Sequence, residues 1–568
     1  MNRTENVKDR TVNRIACEIL LGLNCAAFAA GILCLACPDS ALMGQAFGSL
    51  FIAAIFCNSA ECAFDHRTGT FAIVYLLFTA TGFLLLPFLL LVRASLSHNV
   101  ISSLSGYAVV FGSLGFGVVL SKKDFRGRPL RRKSRPAFAT GSLGVGIVAL
   151  AITVRFLAGP HPRTAGVLVP QCLPYWAFGF LSLGALSVRL FRFGEGLGRG
   201  SYLAGFPAVA AAFLAFLPVY QVPTVVRRAE SDFAAQFGVA AEDVTAPGLQ
   251  KTPFSLGRML LGSNPGRARS RLNVPFLTET ASNGRSYTFR YDQWSPAEGG
   301  THPVLIRIHG GAWISGDKGC GNMNTMNRHF ASLGYVVFDL QYGLNESATF
   351  AVQSPTPASV VGPFSIDDMV RQIGAFSSYL ADRSEELGAD IHNVFLSGGS
   401  AGGHLALALA LTQTSGYLRE HPGIGLDTRL TVRGVLPFYP AVGYPRGMGI
   451  PSSPALDDIS VLLSPESPPV LIYQGGRDGM VDPERIHSFA RKYRTAAGRA
   501  ALIEFPSAGH GSDIIFWNCY NQVFLYYMER FMSRMESSSE ARKGVPPIVK
   551  KFRGNCFSVE TRSKLVVR

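Results

Sequence analysis

Residues 393–411 read NVFLSGGSAGGHLALALAL: an apolar run, four small residues around one serine, and then an apolar helix-forming run. The first part has the character of a buried strand, and the last, rich in Leu and Ala, that of a buried helix. Gly398-Gly399-Ser400-Ala401-Gly402 is therefore a G-x-S-x-G pattern on a strand-to-helix corner. That is the setting in which the pattern forms a nucleophile elbow. So tight a corner needs small neighbours, and it lifts the Ser400 hydroxyl to the carboxyl edge of the sheet. The helix starting at Ala401 presents its N-terminus to an anion developing there. In a chain with 60 glycines the bare pattern recurs by chance, so the flanks are what single out Ser400.

Working outward, PVLIRI (303–308), YVVFDL (335–340), VRGVLPF (432–438), PVLIYQ (469–474) and ALIEF (501–505) join NVFLSG (393–398) as strands. Between most of them lie segments of helical periodicity, such as 365–387, 401–413 and 483–496. Strands alternating with helices imply an α/β fold with a mostly parallel central sheet covered on both faces. No internal repeat is visible.

The strand ends carry the rest of a candidate site. His309-Gly310-Gly311-Ala312-Trp313 directly follows PVLIRI. Glycines let backbone approach a reacting carbonyl closely, and N–H donors stabilise the negative charge that builds on its oxygen. The N–H of Gly310 or Gly311, with that of Ala401, would form such an oxyanion hole. A serine hydroxyl also needs a base, and the base an orienting acid. After PVLIYQ comes GGRDGMVDPERI, where Asp478 stands nearer the strand end than the alternative, Asp482. After ALIEF comes PSAGHGSD, which places His510 in a small-residue loop. His510 is a better base than His309, His404 or His487, and His404, one turn past the nucleophile, reads as a packing residue.

With HGGAW, GGSAGGHLALALAL, GGRDGMVD and GHG in this order, residues 270–535 resemble an α/β-hydrolase esterase of the feruloyl-esterase-like or hormone-sensitive-lipase-like kind. The resemblance covers less than half of the chain. It implies the α/β-hydrolase fold, a Ser400–His510–Asp478 triad and no metal or organic cofactor. Two positions depart from the family pattern: Gly399 stands where these esterases often have Asp or Glu, and HGGAW replaces HGGG.

The first part of the chain is of another kind. A spanning helix needs about 20 apolar residues, and seven candidates are present: 15–36, 41–60, 70–92, 100–120, 138–158, 168–191 and 202–220. The first is too long and too closely followed by others for a cleaved signal peptide. VPQCLPYW puts two prolines into the sixth. Lys and Arg gather before the first span (Arg3, Lys8, Arg10, Arg14), after the fourth (SKKDFRGRPLRRKSRP) and after the sixth (Arg192, Arg199). With seven spans these basic loops share one side, which the positive-inside rule makes cytoplasmic. The hydrolase part then lies on the non-cytoplasmic side.

The expected organisation is an all-α transmembrane domain (1–221), a linker with an amphipathic stretch lying along the membrane surface (222–269), the hydrolase domain (270–535) and a basic, disordered tail (536–568). The net charge of +15 is explained by topology, and no nucleic-acid-binding motif is present. The ten cysteines concentrate in the apolar part and form no disulfide framework, and Cys34-x-x-Cys37 reads as a helix end. Glu61, Asp65 and His66 read as a solvated loop rather than metal ligands. Loop 341–364 is a candidate wall of the acyl pocket, and Asn345-Glu346-Ser347 within it is a glycosylation sequon.

The expected partners are an ester substrate, small or lipid, and membrane lipids. The same residues would also serve a membrane acyltransferase or an amidase, since HGG-W motifs resemble arylformamidases too. A non-catalytic, hydrolase-like binding module is the remaining alternative.

Overall fold

The computed structural model describes residues 3–38, 40–64, 69–95, 100–122, 135–161, 165–191, 198–346 and 355–543. Asp65, His66, Arg192, Ser347 and the basic tail beyond Lys543 lie outside the described residues, as does most of the basic loop after the fourth span. The chain begins with helices α1 (Arg3–Ala36), α2 (Ala41–Phe64), α3 (Gly69–Ser95), α4 (Val100–Leu120), α5 (Arg135–Ala158), α6 (Ala165–Leu190), α7 (Arg199–Ala215) and α8 (Leu217–Phe237). Seven helical segments are long and apolar enough to cross a membrane, the last being α7 and α8 taken together as Arg199–Phe237. Pro170 and Pro174 leave α6 continuous, as neighbouring helices permit in packed apolar bundles. Ile19, Leu42, Ile101, Leu104, Leu203 and Phe206 are exposed on the bundle surface.

The short helix α9 (Leu256–Leu261) leads into β1 (Ala268–Thr280), β2 (Ser286–Pro296), β3 (His302–Ile308), α10 (Met323–Ser332) and β4 (Val336–Leu340). A two-stranded pair, β5 (Leu344–Asn345) and β6 (Val361–Gly362), precedes α11 (Ile366–Asp382), β7 (Ala389–Gly399) and α12 (Ala401–Thr414). There follow α13 (Tyr417–Glu420), β8 (Val432–Phe438), α14 (Pro454–Asp457), β9 (Val470–Gly475), α15 (Pro483–Ala497), β10 (Ala500–Phe505) and α16 (Cys519–Lys543). Eight strands form one sheet in the order β1-β2-β4-β3-β7-β8-β9-β10. The pairings β1–β2 and β2–β4 are antiparallel and the others parallel. All six apolar runs named above are strands of this sheet. The outer strands β1 and β2 were not legible as such, because charged residues such as Arg269 and Arg271 and a kink at Asn273 (φ 60°) interrupt β1.

The pleat divides the sheet's side chains between two cores. Val304, Ile306, Phe338, Leu396 and Ile472 pack with Ile373 and Phe376 of α11, Leu405 of α12 and Phe489 of α15. Leu305, Val337, Phe395, Leu436, Leu471 and Ile503 point the other way, into a core shared with α10, α16 and the apolar bundle. The amphipathic stretch belongs to this second core. Val222, Val225, Ala229, Phe233 and Phe237 of α8 are buried, and each large side chain so covered contributes about 1.5–3 kcal/mol. Asp232 accepts from Leu502 N at 2.7 Å and from Arg494 Nη2 at 2.8 Å, tying α8 to β10 and α15. The stretch thus packs on the sheet edge instead of lying along a membrane surface. Helix α16 likewise runs past Glu536 to Lys543, beyond the expected start of the tail.

Candidate active site

Ser400 stands between β7 and α12 with φ 54° and ψ −117°, a conformation that costs a side-chain-bearing residue of order 1–3 kcal/mol. Backbone bonds on both sides hold it: Ser400 N donates to Phe438 O at 2.9 Å, and Ser400 O accepts from Ala441 N at 3.1 Å. The glycines are there for space. A Cβ on Gly402 would lie 2.1 Å from Ile308 O, one on Gly398 2.6 Å from the same atom, and one on Gly310 2.7 Å from Gly399 O. The elbow and the HGGAW loop therefore pack backbone to backbone. That loop turns through three successive residues of positive φ, Gly311 (122°), Ala312 (56°) and Trp313 (60°). Among the described residues no carbonyl takes up the N–H of Gly310, Gly311 or Ala401, so all three remain able to donate.

The loops after β9 and β10 bring Asp478 and His510 together. His510 Nδ1 donates to Asp478 Oδ2 at 2.8 Å, with both residues buried. Asp478 Oδ1 accepts from Met480 N at 2.8 Å and Val481 N at 2.9 Å, which restricts rotation of the carboxylate that His510 meets. With its Nδ1 proton committed, His510 keeps Nε2 as the basic nitrogen. Ser400 is half-buried, and among the described residues its Oγ makes no hydrogen bond to His510 or any other group. Such bonds are often long without substrate and tighten in the Michaelis complex.

The other candidates are occupied elsewhere. Asp482 caps α15 by accepting from Glu484 N at 3.0 Å. His404 is buried, bonds Leu456 O at 2.8 Å and meets the Trp313 ring edge-on, and burial pushes its imidazole down to about 4. His309 stacks on Tyr342 at 4.4 Å and bonds Gly310 O, and burial lowers it as well. His487 of α15 lies between Glu484 of the same helix and Glu504 of β10. Asn345 of the sequon is buried, its amide donating to Phe364 O at 2.7 Å. Among the described residues no cluster of His, Cys, Asp or Glu could hold a metal ion.

Three residues at the site escape sequence reasoning. The Tyr439 ring lies 4.4 Å from that of His510, and its hydroxyl 3.2 Å from where a Cβ on Gly399 would stand. Gly399 thus makes room for Tyr439, whose hydroxyl donates to Asp513. The other two, His161 and Gln171, come from the apolar bundle: His161 N donates to Arg477 O at 3.0 Å and Gln171 Nε2 to Gly511 O at 2.8 Å. No local pattern signals contacts across so much intervening chain.

Comparison with known proteins agrees with this architecture. Residues 292–443 match the BD-FAE family model. A probable carboxylic ester hydrolase, LipM of Mycobacterium tuberculosis, is 27% identical over 239 residues, 38% of this chain and 51% of its own. Esterase LipQ of the same organism is 28% identical over 241 residues, 38% of this chain and 52% of its own. The chain thus spans about half the length of the curated relatives it matches. Among solved structures, Thermogutta terrifontis esterase 2 phosphorylated by paraoxon is 19% identical, covering 49% of this chain and 96% of that one with a TM-score of 0.36. By its sheet order and its elbow the chain carries an α/β-hydrolase fold, part of which is similar in sequence to these esterases, behind seven long apolar helices among the described residues.

Proposed function

We propose that this chain is a membrane-anchored serine hydrolase that cleaves carboxylic esters through a covalent acyl-enzyme. The observation that carries the reading is the buried His510–Asp478 hydrogen bond, formed at the strand ends beside a serine held at positive φ. His510 Nε2 takes the Ser400 hydroxyl proton as Oγ attacks the ester carbonyl. Asp478 holds the imidazole tautomer and stabilises the imidazolium that results. The N–H of Ala401, with that of Gly310 or Gly311, receives the oxyanion; one such donor is worth about 10²–10³ in kcat. The imidazolium then protonates the leaving alkoxide, and water activated by the same base releases the acid. No step calls for a metal or organic cofactor.

Placement supports a lipophilic ester met at a membrane surface. Gly511, next to His510, touches Val167 and Gln171 within the Ala165–Leu190 span. At 1.5 Å per residue a helix of 26 residues is about 39 Å long, against a hydrocarbon core of about 30 Å, so its first turns reach headgroup level. The hydrolase domain also meets the bundle at the start of α2, where Gln45 donates to Phe254 O, and at the α5–α6 turn. Those ends lie opposite the basic loops, in keeping with a non-cytoplasmic site.

The test uses the full chain in detergent micelles with p-nitrophenyl acetate, butyrate and palmitate, beside Ser400→Ala. Turnover lost in the variant is expected, and the chain-length trend separates small-ester from lipid chemistry. A folded parent that neither turns over nor labels with a fluorophosphonate would sink the reading in favour of a binding module.

A further inference from the structure

We propose that the apolar bundle is part of the catalytic apparatus, with Gln171 of α6 acting as a positioning residue for His510. The inference rests on the triad reading above and adds to it what keeps the triad in register.

Gln171 is wholly buried, within a helix otherwise apolar enough to span a bilayer. A polar side chain there is costly unless every group finds a partner. Besides Val167 O of its own helix, its partners come from the segment that follows His510. Nε2 donates to Gly511 O at 2.8 Å, and Oε1 accepts from Ile515 N and Asn518 Nδ2, both at 2.9 Å. Asn518 also donates to Ser512 O at 2.7 Å, and Ser512 Oγ to Gly509 O at 2.6 Å. The segment from Gly509 to Asn518 is thus one hydrogen-bonded unit with Gln171 as its external fixed point.

The acid loop is held from the α5–α6 turn that leads into the same helix. His161 N donates to Arg477 O at 3.0 Å, one residue before Asp478. A Cβ on Gly479 would lie 1.9 Å from His161 O, and one on Gly509 2.3 Å from His161 Nδ1 and 2.5 Å from Gly166 O. Neither glycine has a positive φ, so the backbone itself does not demand glycine at either place. The approach of the α5–α6 turn does. One glycine beside each of the two candidate triad residues is thus the space into which the bundle fits.

The experiment uses the full chain in detergent micelles and compares Gln171→Leu, Gln171→Glu and Gly479→Ala with the parent and Ser400→Ala. Gln171→Leu removes the whole clamp, whereas Gln171→Glu keeps an acceptor for Ile515 and Asn518 and loses the donor to Gly511. Small misplacements of a catalytic base cost about 10²-fold, so Gln171→Leu should lower kcat for p-nitrophenyl butyrate by about 10- to 100-fold. KM should stay within about twofold, since the clamp acts on the base rather than on substrate contacts. Fluorophosphonate labelling of Ser400 should slow in parallel, with Gln171→Glu intermediate and Gly479→Ala changed in the same direction. Should Gln171→Leu fail to fold, the other two variants decide the matter. Parental kcat in the folded variants, or a rise in KM at parental kcat, overturns the proposal. If Ser400→Ala is as active as the parent, the triad reading fails instead.

Discussion

The nucleophile side of the site and its acid–base side are secured in different ways. Ser400 and the HGGAW loop are held by three neighbouring strands of one sheet, with backbone against backbone at Gly398, Gly402 and Gly310. Asp478 and His510 sit on loops that leave the sheet, and their outer side is closed by His161 and Gln171 of the apolar bundle. The first arrangement is short-range and rigid. The second depends on a docking between two parts of the chain, so the geometry of proton transfer answers to a contact that the nucleophile does not feel.

The largest effect should separate the two acidic candidates. Asp478→Asn is expected to lower kcat by about 10⁴, the scale for loss of the orienting carboxylate, with Asp482→Asn within about twofold of the parent in the same assay. Equal losses would break the assignment of Asp482 to a helix cap. Next comes the rigid side: in Gly402→Ala the new Cβ meets Ile308 O at 2.1 Å and His309 O at 2.5 Å. With no flexible neighbour to yield, activity should drop more than about 100-fold, or folded protein should not accumulate on size-exclusion chromatography. A variant near parental activity would show the elbow to be softer than this packing implies.

Asp232→Ala tests whether every bundle-proximal contact matters to the chemistry. It removes the bonds to Leu502 N and Arg494, and should cost about 1–3 kcal/mol of stability. In thermal denaturation the loss should be plain, with kcat unchanged, because Asp232 braces the sheet edge, whereas the contact of α8 with the loop before His510 is made by Gln221. A parallel fall in kcat would erase the distinction between bracing and positioning. Asp482→Ala should cost about 1 kcal/mol through the lost cap of α15, again without a change in kcat.

A pH dependence of stability, without effect on the candidate site, completes the series. Asp339 is buried beside Gly319 N and Asn327 Nδ2, and burial raises its carboxyl to about 7. The folded protein therefore holds a proton that the unfolded chain releases near pH 4, about the ordinary Asp value. Stability should fall between about pH 4 and 7, and Asp339→Asn should flatten that part of the denaturation curve. A variant with the parental slope would place the titration elsewhere.

Much of this was legible in the sequence, for identifiable reasons. The central strands are short unbroken apolar runs, as sheets covered on both faces require. Ser400, Asp478 and His510 each follow one of them within a few residues, so strand ends located the candidate site. The antiparallel strands β1 and β2 carry weaker patterns, since one of them is largely exposed. Tyr439 could not be read out, because its place depends on the missing side chain of Gly399. Gln171 was not singled out in its apolar helix, and only the folded chain shows which distant amides it serves. The amphipathic stretch that became α8 was read as lying along the membrane surface, because periodicity shows that one face needs cover and cannot say whether lipid or protein supplies it.

The contacts of Gln171 also bear on how the molecule is made. Its partners Gly511, Ile515 and Asn518 are translated 340, 344 and 347 residues after it, and β10, which α8 braces, only slightly before them. The acid–base side of the candidate site is therefore completed late, from two segments far apart in the chain. A chain still short of His510 lacks the proposed base, and α6 then lacks the loop partners of Gln171. On the proposed mechanism, hydrolysis waits on the loop that follows the last strand.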